Sequence, residues 1–188
     1  MTFTQQKQTK FMKTKLFFPF FLMLFSFISC KKEVEKIEKV DTTKELFKVS
    51  LDLLIKENDT LHLYYAGDMA EDYSEQNSIW LPVSGKAITQ KITFNLPKEV
   101  LPTKLRIDFG VNRENKEIVL NTVAFNYYDK IFIANDSTIF NYFRPDESAT
   151  TIDYDKRILK RKDSNSVKGP SLYPHDKAVK AAIEKLIK

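Results

Sequence analysis

The side chains best suited to act on a ligand sit close together in the chain. Asp68, Glu71, Asp72 and Glu75 fall within one loop, and Trp80, the only tryptophan, follows them, with Tyr64, Tyr65 and Tyr73 just upstream. Paired carboxylates are what glycoside hydrolysis requires, but their spacing along a loop carries no geometry. The same oxygens could ligate Ca²⁺, yet the loop lacks the glycine and the ligand order of an EF-hand, and a solvated loop is the expectation. Nucleophilic catalysis finds no support: no GxSxG is present, and His62 and His175 lie in no nucleophile motif. A single cysteine, Cys30, and two distant histidines leave no ligand set for a structural zinc. Gly67, Gly85, Gly110 and Gly169 are isolated, so no phosphate-cradling loop can be written. Neither a metal nor a cofactor is therefore expected.

Binding is easier to motivate than turnover. In Asn77 to Val83, alternation puts Ile79, Leu81 and Val83 on one face and Ser78, Trp80 and Pro82 on the other. If the first set is core, Trp80 faces outward, either to stack on a sugar ring or to cover a neighbouring element. Arg106 and Asp108 also share a face, where they could bond ligand hydroxyls or pair with each other, and pairing is the safer expectation.

The elements that must hold these residues read as strands. From Phe47 the dominant period is two: Phe47, Val49, Leu51, Leu53 and Ile55 alternate with Lys48, Ser50 and Asp52. Asn58-Asp59 supplies a turn, after which Leu61, Leu63 and Tyr65 oppose His62 and Tyr64, and a hairpin is the simplest connection. Further strands are expected at Asn77 to Val83, Ile88 to Leu96, Thr103 to Phe109 and Glu117 to Tyr128. Shorter ones are expected at Lys130 to Ala134, Thr138 to Phe143 and Thr150 to Asp153. Strands at this spacing without helical periodicity between them predict an all-β, antiparallel β-sandwich of the jelly-roll kind over residues 46–155, with a barrel as the close alternative. Residues 156–188 read as a basic loop, Lys156 to Lys168, and then a short C-terminal helix, because Val179, Ala182, Ile183 and Leu186 follow helical spacing.

The N-terminus has its own composition. The first 29 residues carry four lysines, no acidic residue and eight of the 15 phenylalanines. Without those residues the formal charge of +5 falls by four, to +1, so the basic character belongs mostly to the leader. A near-neutral body lacks the concentrated basic footprint that nucleic acid demands, and nucleic acid is not expected as a partner. Met1 to Lys15 is polar and basic, and Leu16 to Ile28 is apolar throughout but too short to span a bilayer. That order predicts a secretory signal over residues 1–29. Residues 30–45, rich in both charges, read as a solvated linker.

Two resemblances sharpen this reading. Phe27-Ile28-Ser29-Cys30 resembles the lipobox of bacterial lipoproteins. The resemblance implies cleavage before Cys30, a diacylglycerol on its thiol and an acylated amino group. The chain would then be anchored through that lipid in the cell envelope, at the outer membrane on its periplasmic or surface face. The charged stretch that follows is similar, loosely, to surface-export signals of Bacteroidetes-type lipoproteins. Within Leu61 to Tyr128, the matching residues are Tyr64, Tyr65, Gly67, Ser74, Glu75, Asn77, Ser78, Leu96, Pro97, Leu105, Arg106, Ile107, Asp108 and Gly110. Together they resemble a β-sandwich module attached to bacterial cell-surface polysaccharide glycosyltransferases and found in Bacteroidetes lipoproteins. That resemblance implies a galactose-binding-like fold with no catalytic residue to carry over. The expectation is a non-catalytic envelope lipoprotein that binds a glycan or envelope component, with Trp80, Tyr64, Glu75, Arg106 and Asp108 as the ligand-binding candidates. The alternatives are an assembly lipoprotein making protein contacts and an envelope glycan hydrolase.

Overall fold

The computed structural model describes residues 42–67 and 72–188, which lie within one compact unit, Val40–Lys188. Among the described residues, eleven strands form two antiparallel sheets and a single α-helix follows them. The protein is an all-β sandwich, as the alternating pattern predicts.

The first sheet is built around β1 (Lys48–Leu54), which lies between β4 (Gln90–Asn95) and β6 (Ile118–Tyr127). On its far side β6 carries β7 (Lys130–Asn135) along one half. Along the other it carries β10 (Ile158–Arg161), which pairs with β9 (Thr150–Asp153). The second sheet runs in the order β3 (Ser78–Val83), β2 (Asp59–Ala66), β5 (Lys104–Asp108), β11 (Ser171–Pro174), β8 (Phe143–Pro145). Val49, Leu51 and Leu53 from the first sheet meet Leu61, Leu63, Leu105 and Ile107 from the second, all fully buried in one core. Among the described residues that core runs from Phe47 to Leu186, so the unit carries its own core and folds without what precedes it.

Four expectations need correcting. β1 and β2 do not form a hairpin: each is a central strand of a different sheet, and Ile55–Asn58 arches between them. Local period two gives the face of each strand but not its partner. Residues 156–168 are not simply a loop, since Ile158–Arg161 joins the first sheet with Leu159 in the core, and Ser171–Pro174 enters the second sheet beyond them. Residue 155 is therefore no boundary. Thr138 to Phe143 is for the most part a 3-10 turn, Asp136–Asn141, because the Thr138 hydroxyl accepts from the Asn135 amide and offers the backbone an alternative to a ladder. At the N-terminal side, Thr42–Glu45 is a 3-10 turn whose Lys44 carbonyl accepts from the Tyr128 amide, so the end of the expected linker belongs to the domain.

The helix α1 (Asp176–Ile187) matches its expected stripe: Val179, Ala182, Ile183 and Leu186 are buried against β5, β6 and β7. Its contacts with both sheets close one side of the sandwich.

One loop end is held by a buried carboxylate. Asp59 Oδ1 accepts from the backbone amides of Thr60, Val111 and Asn112 at 2.8–3.0 Å, and Oδ2 accepts from the Asn115 side-chain amide at 2.9 Å. Gly110 passes directly over this carboxylate with φ +74°, and a Cβ there would stand 2.1 Å from Asp59 Oδ2. Strain and collision act together, so Gly110→Ala is expected to cost about 3 kcal/mol in chemical denaturation. Gly67→Ala, whose Cβ would meet nothing within 4 Å, is the matched control and should change stability little.

Candidate functional site

The outer face of the second sheet carries the site. Directly opposed residues on antiparallel strands point the same way, and the register sets His62 of β2 opposite Trp80 of β3 and Asp108 of β5. One step along, Tyr64 lies opposite Ser78 and Arg106. Leu61, Leu63 and Tyr65 take the inward face, so this set must face out.

What results is a row of rings and cations running across all five strands. The Trp80 indole stacks on the His62 imidazole, centroids 3.6 Å apart and 20° from parallel, and His62 in turn contacts Tyr64 at 3.9 Å. The Arg106 guanidinium lies 4.8 Å from the Tyr64 ring centre and 4.9 Å from that of Tyr173 on β11. Arg144 on β8 stands over the far side of this row, 5.5 Å from the same Tyr173 ring. Trp80, at the edge strand, stays 51% exposed, whereas His62 beneath it is 2% exposed.

Glu75 bridges the aromatic end. It stands on the 3-10 turn Glu75–Asn77, tied down by the Ser78 hydroxyl donating to its carbonyl at 2.8 Å. Its carboxylate accepts from the Tyr64 hydroxyl at 2.5 Å and from Trp80 Nε1 at 3.4 Å, and His62 Nε2 lies 3.7 Å away. The Tyr64 hydrogen bond, chiefly, holds the Glu75 carboxyl below its ordinary range. Burial first, and then the bond to Glu75, pushes the Tyr64 phenol up. Arg106 and Asp108 pair with each other through two hydrogen bonds of 2.8 and 2.7 Å, as expected from their shared face. Burial opposes the Arg106 charge, but the Asp108 carboxylate, together with Tyr173 and Tyr64, more than offsets it.

These groups line an open pocket of about 220 Å³, walled by Gly110 and Val111 on one side and Val167 to Gly169 on the other. Arg161 staples the two walls together: Nη2 donates to the Asn112 carbonyl at 3.1 Å and Nη1 to the carbonyls of Ser166 and Lys168. Gly169 is required where the walls meet, because a Cβ there would stand 1.9 Å from the Gly110 carbonyl oxygen.

All five ligand-binding candidates, Trp80, Tyr64, Glu75, Arg106 and Asp108, line this one pocket. His62 was missed as a site residue although it lies two positions before Tyr64 and so shares its face. Tyr173 and Arg144 were missed because β8 and β11 are too short to register as period-two runs. Cys30 lies outside the described residues, as do Asp68 and Glu71 of the acidic loop. Among the described residues no group of three or more His, Cys, Asp or Glu side chains is placed to hold a metal ion.

Burial lowers the His62 pKa from its ordinary 6.5, against the pull of Glu75 and Asp108. The folded state therefore binds fewer protons at this site than the unfolded chain just below pH 6.5, and stability is lost as the pH falls through that window. Urea melts should show this acid-side loss, and His62→Gln should flatten it. A separate loss, belonging to Glu75, is expected below its ordinary 4.5.

No protein-family model, curated protein or solved structure matches the chain.

Proposed function

We propose that the chain is a lipid-anchored cell-envelope protein whose β-sandwich binds an extended glycan, without turning it over, on the outer face of the five-stranded sheet. The observation that carries this reading is the half-exposed Trp80 beside the Glu75, Arg106 and Asp108 side chains in one open pocket. An indole offers a flat apolar face for the C–H side of a sugar ring, while paired charges supply donors and acceptors for its hydroxyls. The row continues from Trp80 to Arg144 across five strands, which suits a chain of sugars better than a single one.

Binding is favoured over hydrolysis by the state of the carboxylates. A glycosidase needs one carboxyl group that keeps its proton near neutral pH. Glu75 is shifted the opposite way, and both oxygens of Asp108 are engaged by Arg106. The resemblance to modules of cell-surface polysaccharide glycosyltransferases and Bacteroidetes lipoproteins supports the same reading, and so does the lipobox at Cys30 for the anchor. No helix among the described residues is long and apolar enough to cross a membrane.

The test is a thermal-shift screen of the Val40–Lys188 unit against envelope and host glycans. A ligand of the folded state at about 100 times its Kd adds about 2.7 kcal/mol, which should raise the Tm by several degrees in a saturable way. An unmoved Tm across the panel contradicts the reading and transfers weight to an assembly role through protein contacts.

A further inference from the structure

The opposite face of the sandwich has a different chemistry. Register sets Asn95, Lys48, Asn126 and Ile131 in one row across β4, β1, β6 and β7, and Thr93, Ser50, Ala124 and Ile133 in the next. Val49, Leu51, Phe94 and Phe125 hold the core side, so these rows face out. Over β4, β1 and β6 they form an open basin of about 370 Å³, lined by Lys44, Lys48 and Lys91 and by no carboxylate. At its rim and along β7, Tyr128, Ile131 and Ile133 are each more than half exposed. Ammonium groups ringed by a tyrosine and aliphatic side chains are the makings of an interfacial surface: the lysines meet phosphates while the apolar groups enter the headgroup layer.

The chain also enters the domain at this face. Lys44 lines the basin, and its carbonyl accepts from the Tyr128 amide, so the first described residues, Thr42–Glu45, lie at the basin's rim. Only 11 residues lie between Cys30 and Thr42, a reach of about 40 Å even when fully extended.

We infer that the outer face of the first sheet docks on an anionic lipid surface, through Lys44, Lys48 and Lys91 with Tyr128, Ile131 and Ile133, and so turns the Trp80 face away from the membrane. Two opposing charges stand beside these lysines: Asp52, opposite Lys91 in the register, and Asp129, an exposed partner of Lys44 at 3.9 Å. This orientation rests on the reading of Cys30 as the membrane anchor.

The test supplies the tether chemically. Residues 30–188 carry Cys30 as their only thiol, so they can be coupled through it to a maleimide lipid in vesicles with brominated acyl chains. Two proteins are compared, the parent with its native Trp80 and an Ile133→Trp, Trp80→Phe double variant. On phosphatidylcholine vesicles containing phosphatidylglycerol, the indole at position 133 should lose about half its emission or more, while Trp80 of the parent keeps its own. Lys48→Glu with Lys91→Glu, or high salt, should restore the emission without changing the melting temperature. Unquenched emission at position 133 on anionic vesicles, or equal quenching on phosphatidylcholine alone, overturns the proposal. Because coupling does not depend on cellular lipidation, either failure leaves the Cys30 reading intact. That reading is tested separately, by the mass of the N-terminal peptide from cells.

Discussion

Asp59→Ala should lower the unfolding free energy by about 4 kcal/mol, the largest stability loss expected of any single polar substitution in the domain. The residue is 9% exposed, and its two oxygens collect three backbone amides and the Asn115 side chain. Truncation leaves those four donors with no acceptor in a site too confined for full hydration, and each unmet donor costs about 1–3 kcal/mol, less whatever water recovers. For a domain of this size the loss corresponds to a fall in Tm of about 10 °C. Asp59→Asn retains one acceptor oxygen but forfeits the charge, and should recover about half. Hydrogen exchange gives the local signature: the amides of Val111 and Asn112 should lose protection beyond what the global loss explains. Val111 walls the proposed glycan pocket, so binding there should weaken along with the loop. Unchanged protection at Val111 and Asn112 would show that the loop does not depend on the carboxylate.

Trp80→Ala should do the reverse, with a large effect on binding and a small one on folding. The side chain is half exposed on an edge strand, and its removal uncovers the His62 ring without opening the core. A stability cost of about 1 kcal/mol is expected. Binding loses the only indole of the site, worth about 2 kcal/mol or some 30-fold in Kd, which titration calorimetry would read directly. Arg106→Ala makes a useful contrast. It strands Asp108 and removes the cation between Tyr64 and Tyr173, so affinity and stability should fall together. If Trp80→Ala bound every ligand as the parent does, the glycan surface would have to lie elsewhere.

How far these features are legible in the sequence depends on whether local period carries them. Period two locates β1 to β7 and β9 and the inward face of most, and 3.6-residue spacing locates α1, because burial on one side of an element is a local pattern. Pairing between strands is not local. Nothing in Phe47 to Tyr65 distinguishes a hairpin from an arch between sheets, since both bury Leu51, Leu53, Leu61 and Leu63. β10 is hidden by chemistry: Leu159 is its one fully buried side chain, set among Lys156, Arg157, Lys160 and Arg161. β11 is hidden by Pro170 and Pro174, which read as punctuation, although the Pro170 carbonyl accepts from the Phe109 amide at the start of the strand. The candidate site follows the same logic. Trp80, Tyr64, Arg106 and Asp108 could be found because they lie at alternating positions of long strands, and Glu75 because it neighbours them. Tyr173 and Arg144 complete the row from strands of four and three residues, where alternation has no room to show.

The chain contains a single tryptophan, and it stands in the proposed glycan site, so its emission reports on that site alone. The most direct measurement is a fluorescence titration of Trp80 with any glycan that raises the Tm. The account predicts a saturable change with a shift to shorter wavelength as the ring leaves water, with the same Kd as the thermal shift. A glycan that stabilises the fold while leaving the Trp80 emission unmoved would contradict the account, because it would bind somewhere other than the outer face of the five-stranded sheet.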